Sequence, residues 1–87
     1  MVKITGYWWF GGSNIKFNFN KFYAGSYEDI KKIFKRKEGG VIKLNDKIEL
    51  KKEAGSWNFF IKTRKDKYKR LKALNFKKIL KRLSNGN

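Results

Sequence analysis

Residues 2–23 decide the fold, and they read VKITGYWWFGGSNIKFNFNKFY. Apolar and polar residues alternate on both sides of the central Gly11-Gly12 pair. Alternation with a period of two is typical of a β-strand that buries one face. A Gly-Gly loop supplies the positive φ angles that a two-residue hairpin turn needs. The stretch therefore predicts a β-hairpin that turns at Gly11-Gly12.

A two-residue loop also fixes which residues of the two strands lie opposite each other. It places Trp8 opposite Ile15 and Ile4 opposite Phe19, and opposite residues share a face of the sheet. One predicted face collects the apolar side chains of Ile4, Trp8, Phe10, Ile15, Phe17 and Phe19. The other face is polar and basic but carries two large rings, and its residues are Lys3, Thr5, Tyr7, Trp9, Asn14, Lys16, Asn18 and Asn20. We therefore assign Trp8 to the core and Trp9 to a functional surface.

The segment after the hairpin predicts a helix over residues 26–37. Ser26 is a favourable N-cap, and Asp29 stands where it completes a capping box. The apolar residues share one helical face, and they are Tyr27, Ile30, Ile33 and Phe34. Gly39-Gly40 follows, and we expect Gly39 to end the helix in the left-handed conformation.

Three further strands are predicted between residues 41 and 64, joined by a three-residue loop at 45–47 and a four-residue turn at 53–56. These lengths keep the apolar side chains on one face and the lysines on the other. The pairs that they imply are Leu44–Ile48, Ile42–Leu50, Lys43–Glu49, Lys52–Trp57, Leu50–Phe59 and Ile48–Ile61. Lys43 and Glu49 are expected to form a cross-strand ion pair.

Residues 66–83 have the composition of a helix, but their apolar residues form two stripes that are out of phase. We therefore expect a C-terminal helix that is broken near Asn75, followed by a frayed tail at 84–87. The fold class is α+β, a small antiparallel sheet or half-open barrel with the element order β-β-α-β-β-β-α. The 87 residues suffice for one domain, residues 1–87.

The charge of the chain indicates a polyanionic partner. Its 23 Lys/Arg and 7 Asp/Glu give a net charge of +16. Residues 1–60 hold 12 basic and 6 acidic residues, whereas residues 61–87 hold 11 and 1. A domain this basic is typical of nucleic-acid-binding proteins. Lys outnumbers Arg by 19 to 4, and Lys lacks the bidentate geometry with which Arg reads bases, so we expect low sequence specificity.

Enzymatic and membrane functions find little support in the sequence. The chain lacks cysteine and histidine, which removes disulfides, thiolate or imidazole metal sites and Ser-His-Asp triads. Its acidic residues do not form a general acid–base pair or a metal-binding cluster. We expect no enzymatic activity and no cofactor. No apolar run approaches the about 18–20 residues of a membrane span and no secretory signal is evident, so we expect a cytoplasmic protein.

The candidate binding surface combines rings with cations, because cations attract phosphates and exposed rings stack on bases. Its residues are Lys3, Tyr7, Trp9, Lys16, Lys43, Lys51, Phe60, Lys62, Arg64, Lys65, Lys67, Lys69 and Arg70. One alternative is that the C-terminal helix covers the face that bears Tyr7, Trp9 and Phe60. Another is that the chain is a small viral or mobile-element protein that binds and inhibits an acidic host protein or nucleoprotein, with the rings as protein contacts.

Two resemblances bear on the kind of nucleic acid. The predicted opening order β-β-α-β-β-β resembles both the ubiquitin-like β-grasp and the small methanogen chromosomal proteins that bend DNA, which favours DNA slightly over RNA. Residues 4–13 also resemble the core motif of LAGLIDADG homing endonucleases at Gly6, Gly12 and Ser13. That family has a helix and a metal-binding acid in this motif, whereas Trp9 stands at the acid position and the register predicts a strand.

Overall fold

The computed structural model describes residues 2–19 and 22–85, and it confirms the α+β class. The chain order is β1 (Val2–Phe10), β2 (Phe17–Asn18), β3 (Phe22–Ala24), α1 (Tyr27–Ile33), β4 (Glu38–Lys43), β5 (Glu49–Lys52), β6 (Phe59–Lys62), β7 (Tyr68–Leu71) and α2 (Ala73–Ser84). The seven strands form one antiparallel sheet in the order β2-β1-β4-β5-β6-β7, with β3 also paired to β1. The predicted positions Asn20, Gly86 and Asn87 lie outside the described residues.

Both helices pack on the same face of the sheet. Phe76 and Leu80 of α2 and Ile30 of α1 are fully buried in one cluster with sheet residues such as Ile4 and Phe59. The ring centroids of Phe76 and Phe59 lie 4.9 Å apart in an edge-to-face arrangement, which is a favourable geometry for aromatic pairs. The helices therefore leave the opposite face of the sheet, the outer face, without a covering layer in the described chain.

The N-terminal hairpin forms, but its predicted register is wrong, by two residues at β2 and by three residues at β3. Trp8 lies opposite Phe17, not Ile15, and Ile4 lies opposite Phe22, not Phe19. The turn at Gly11-Gly12 is present, closed by a hydrogen bond from Ser13 N–H to the Phe10 carbonyl at 3.0 Å, but residues 13–16 form no ladder. The shift of two residues preserves the faces of β2 because the side-chain period of a strand is two. The shift of three residues at β3 does not, and it places the even-numbered Phe22 on the face of Ile4.

The shifted hairpin extends beyond the helices, so part of its apolar face is not core. Ile4 is fully buried and Trp8 is half-buried, whereas Phe10, Ile15 and Phe17 are exposed. Because Val2–Phe10 is a strand, the helix of the homing-endonuclease motif is not formed.

The prediction that the first helix reaches residue 37 and ends at Gly39 is wrong. Helix α1 begins after Ser26, whose hydroxyl accepts a hydrogen bond from Asp29 N–H at 3.3 Å, and it ends at Ile33. Gly39 and Gly40 lie inside β4 instead. A Cβ on Gly40 would come within 2.4 Å of the buried Phe34 ring, so these glycines make room for aromatic rings on the two faces of the strand.

The predicted β4–β5 hairpin is confirmed, whereas the β5–β6 register is shifted. Ile42 lies opposite Leu50 and Lys43 opposite Glu49, and Leu44 N–H donates to the Ile48 carbonyl at 3.0 Å. In the next hairpin the turn is longer than expected. Leu50 lies opposite Ile61 and Lys52 opposite Phe59, again a shift of two residues that preserves the faces.

The C-terminal helix is confirmed, but it begins later than predicted. Residues Tyr68–Leu71 form strand β7 on the edge of β6, and α2 begins only at Ala73. The break in the apolar stripe that we placed near Asn75 is therefore the boundary at Lys72 between a strand and a helix. Asn75 lies within the first turn of α2.

Lys52 is a fully buried lysine on the helix-bearing face of β5. Its ammonium donates hydrogen bonds to the carbonyls of Arg36 and Glu53, each at 3.1 Å, and to the carbonyl of Glu38. Burial lowers the pKa of Lys52 because an apolar environment disfavours the charged form. The side chain ties the α1–β4 connection to the end of β5.

Candidate nucleic-acid interface

A continuous row of side chains crosses the outer face of the sheet. The backbone register aligns Tyr7 with Val41, Val41 with Lys51, Lys51 with Phe60 and Phe60 with Arg70. Directly opposite residues share a face, so the row combines two rings with two cations. Val41, at the centre of the row, is buried although neither α1 nor α2 lies on this face.

Trp9 lies flat against the backbone of β4. A Cβ on Gly39 would lie 2.5–2.7 Å from three consecutive indole atoms, Cε2, Nε1 and Cζ2. Similar distances to three consecutive ring atoms mean that one face of the indole rests on Gly39. Trp9 is half-buried, and the opposite face of its ring is directed away from the sheet. The Tyr7 ring stands beside it, with centroids 6.0 Å apart.

Lysines lie over two of the rings on this face. Lys16 Nζ is 4.6 Å from the centroid of the Tyr7 ring, and Lys51 Nζ is 5.6 Å from that of Tyr68. These are cation–π distances. The Tyr68 hydroxyl donates a hydrogen bond to Glu49 Oε2 at 3.2 Å. Burial and the nearby Glu49 carboxylate raise the pKa of Tyr68, so Tyr68 is a neutral donor at physiological pH.

Two adjacent grooves share a common wall on the outer face. The first, the Lys16 groove, has a volume of about 370 Å³ and includes Tyr7 and Lys16 in its lining. The second, the Phe60 groove, has a volume of about 520 Å³ and includes Phe60. Both grooves are lined by Trp9, Lys51 and Tyr68. Strands β1 and β7, at either side of β4, β5 and β6, thus contribute rings to one recessed surface.

The charge of the outer face is weakly compensated. Among the described residues, the ion pairs use two lysines: Lys62 lies 3.9 Å from Glu49 and 3.7 Å from Asp66, and Lys77 lies 3.7 Å from Glu28. The expected ion pair between Lys43 and Glu49 is therefore replaced by one between Lys62 and Glu49, although Lys43 lies opposite Glu49 in the register. Uncompensated lysines favour association with a polyanion.

The structure brings most of the predicted site residues together. On the outer face it places Lys3, Tyr7, Trp9, Lys16, Lys43, Lys51, Phe60, Lys62 and Arg70. Arg64, Lys65 and Lys67 lie in the β6–β7 loop, at the end of the same sheet. Lys69 is separated from this group, because it lies opposite Ile61 and shares the helix-bearing face.

Tyr68 is the interface residue that sequence reasoning missed. It lies in the segment 66–83, whose composition predicts a helix, whereas it belongs to β7 and lines both grooves. The alternation of Tyr68 and Arg70 with Lys69 and Leu71 is a period-two signal. Four residues inside a run rich in lysine are too few for that signal to outweigh helix-favouring composition.

A second aromatic cluster lies at the exposed end of the hairpin, on the helix-bearing side. The ring of Trp8 stacks on Phe17 with centroids 4.6 Å apart and meets Phe10 edge-on at 5.0 Å. Phe10 and Phe17 are 50% and 38% exposed. Exposed apolar patches of this kind are often contact surfaces for proteins.

Neither a cluster of metal ligands, nor a membrane-spanning helix, nor a similar known protein is found for the described part of the chain. Within residues 2–19 and 22–85, acidic side chains form no group of three that could hold a metal ion. No helix in that part of the chain is long and apolar enough to cross a membrane. No protein family, curated protein or solved structure compared with the chain matches it.

Proposed function

We propose that the protein binds nucleic acid through the outer face of its sheet, with low sequence specificity and without catalysis. Lysines around the face neutralise phosphates, and the rings of Tyr7, Trp9, Phe60 and Tyr68 contact bases or sugars. The observation that carries the proposal is the arrangement of these rings on an uncovered sheet face that also holds Lys43 and Lys51.

The composition of the face supports nucleic acid over other polyanions. A polyanion that lacks bases, such as an acidic polysaccharide, is bound by lysines alone and gains little from aromatic rings. Nucleic acids offer both phosphate charge and flat apolar surfaces. We further propose DNA as the first target to test, and a cytoplasmic location, with which the absence of cysteine is compatible.

The experiment compares two double variants, each of which removes two lysine charges, one from the outer face of the sheet and one from helix α2 on the opposite side. In the first pair, Lys43→Gln and Lys51→Gln are combined on the outer face. In the matched control, Lys78→Gln and Lys81→Gln are combined on α2, where both lysines are exposed. Binding of a labelled random-sequence single strand, duplex and RNA is measured between low and moderate salt.

The outer-face pair should lower affinity and flatten the plot of log K against log salt by about 0.7 per lost single-strand contact, hence by about 1.4 in total. The control pair should leave the slope within error of the wild type. Equal effects of the two pairs, or wild-type binding that barely changes with salt, would contradict the proposal.

The exposed cluster of Trp8, Phe10 and Phe17 supports a second candidate function, binding of an acidic protein. A partner with an acidic rim around an apolar patch would complement the net charge of +16 and these rings. Two results together would favour this function. The first is the absence of any nucleic-acid gel shift, and the second is a pulldown in which the wild type retains an acidic protein that a Phe10→Ser/Phe17→Ser variant does not retain. A nucleic-acid shift that this variant preserves would count against it.

A further inference from the structure

We infer that the outer face takes a single strand in preference to a duplex, with neighbouring bases in the two grooves and a phosphate at Lys51 between them. The inference rests on the proposed function and specifies its ligand. Three features of the outer face carry it: the orientation of Trp9, the depth of the rings, and the arrangement of the grooves around Lys51.

The orientation of Trp9 suits stacking better than insertion. Its indole rests on Gly39 and presents one ring face outward. A base that stacks on this ring face must expose its own flat surface. In a duplex those surfaces are covered by the neighbouring base pairs. Stacking on an aromatic side chain is the usual way in which proteins hold unpaired bases.

Three of the four rings do not project far enough to act as wedges, and the fourth, Tyr68, is held by its hydrogen bond to Glu49. Side chains that open a base step in duplex DNA are inserted between base pairs from the minor groove. Trp9, Tyr7 and Phe60 are all half-buried among their neighbours. Base edges of a duplex are read by an element narrow enough to enter a groove, such as a helix or a two-stranded ribbon. The central strands of this broad sheet neither insert side chains between base pairs nor form an element narrow enough to enter a groove.

Each of the two grooves has room for a group of nucleotide size. The Lys16 groove and the Phe60 groove each have a volume within the range of pockets that hold molecules of nucleotide size. Their shared wall consists of Trp9, Lys51 and Tyr68. Lys51 is exposed at this wall, so its ammonium can meet the phosphate that links two bases lying on either side.

The edges of the face continue the same chemistry in both directions. Lys16 stands beside Tyr7 at the β1 side, and Arg70 lies next to Phe60 at the β7 side. The strand would therefore cross the sheet from β1 toward β7, perpendicular to the protein strands. Glu49 does not line either groove, and its carboxylate contacts the Tyr68 hydroxyl and the Lys62 ammonium.

The test measures binding of labelled oligonucleotides about 12 units long, a length within the range that single-strand-binding domains cover. The probes are oligo-dT, oligo-U and a DNA duplex of the same length. Fluorescence anisotropy at one fixed moderate salt gives their dissociation constants for the wild type, Trp9→Ala, Trp9→Phe and Phe60→Ala. Circular dichroism establishes that each variant is folded.

Oligo-dT or oligo-U should bind more tightly than the duplex. Trp9→Ala should weaken single-strand binding by about 5- to 150-fold, the range for loss of one stacked base, and should change duplex binding little. Trp9→Phe should restore much of the loss, because a phenyl ring still stacks. If Trp9→Ala is unfolded, the same pattern is required of Phe60→Ala, which lines the second groove.

The outcomes separate this inference from the proposed function. Duplex binding equal to or tighter than single-strand binding overturns the inference, as does an equal loss of both on removal of Trp9. In that case the proposed function stands if Lys43→Gln/Lys51→Gln still weakens binding. Failure of all three probes to bind overturns both. A preference between oligo-dT and oligo-U decides between DNA and RNA.

Discussion

Replacing Lys52 with methionine should destabilise the fold, although it removes a buried charge. Methionine fills nearly the same volume but cannot donate to the three carbonyls that the ammonium contacts. The Arg36 carbonyl retains a second donor, the N–H of Gly55 at 3.0 Å. The carbonyl of Glu38 is buried and that of Glu53 is partly buried, so these two carry the cost.

The size of the effect follows from these two carbonyls. A buried acceptor left without a donor costs about 1–3 kcal/mol, and a partly buried one costs less because water replaces the donor in part. Burying the Lys52 ammonium carries a desolvation cost, which lowers its pKa, and methionine relieves that cost. We expect a net loss of about 2 kcal/mol, equivalent to a fall in Tm of about 8–16 °C in a domain of this size.

The adjacent lysine provides the matched control. Lys51 has the same charge but lies exposed on the outer face, so Lys51→Met should change the free energy of unfolding by less than about 0.5 kcal/mol. Both free energies are obtained from urea unfolding followed by circular dichroism. Equal stability of the two variants would refute the reasoning about Lys52. In binding assays the order should reverse, with Lys51→Met weakened and folded Lys52→Met near wild type.

The pH dependence of stability gives an independent check on Lys52. Its pKa in the folded chain is lowered from the ordinary value of 10.5, which applies to the unfolded chain. At a pH between the folded and the unfolded pKa, the unfolded chain therefore binds more protons than the folded chain. The contribution of this group to the free energy of unfolding must therefore increase as the pH rises through that window. Lys52→Met should lack this increase, whereas Lys51→Met should retain it.

Three further substitutions test separate parts of the structure. Gly39→Ala should displace the Trp9 indole, because the new Cβ would lie 2.5 Å from it; the indole N–H resonance should shift and single-strand affinity should fall several-fold. Asp29→Asn should lower the free energy of unfolding at neutral pH but not in acid. The hydrogen bond from the Gly25 N–H lowers the pKa of Asp29 below 3.8, so the stability that the ionised carboxylate contributes is lost as the pH falls through that lowered pKa. Urea unfolding at a series of pH values measures this loss. Glu49→Gln should strengthen nucleic-acid binding several-fold by removing a carboxylate from the outer face, as measured by anisotropy.

The face assignments of the strands could be predicted from the sequence, whereas their exact partners could not. A strand shows its buried face through alternation, which a register shift of two residues leaves unchanged. Trp8 and Trp9 were therefore assigned to the correct faces although Trp8 faces Phe17 and not Ile15. Register depends on the geometry of the loops, and the irregular residues after Gly12 follow no short-turn pattern.

The errors at Gly39 and Tyr68 arise from interactions between distant parts of the chain. Gly39 after a helical pattern resembles a helix cap, but its lack of a side chain serves the Trp9 ring some thirty residues earlier. The Tyr68 segment has helical composition, yet the free edge of β6 offers hydrogen bonds that a four-residue strand can satisfy. Local propensity is a weak prior that such tertiary pairing overrides.

The most direct test of the outer-face interface is an NMR titration of the nitrogen-15-labelled protein with oligo-dT. The indole N–H resonances of Trp8 and Trp9 report on the two faces of the sheet, since the two residues are adjacent in β1 and lie on opposite sides. We expect the Trp9 resonance to shift progressively with added oligonucleotide and the Trp8 resonance to remain nearly fixed. Shifts confined to Trp8 and helix α2, with Trp9 unchanged, would contradict the proposed interface.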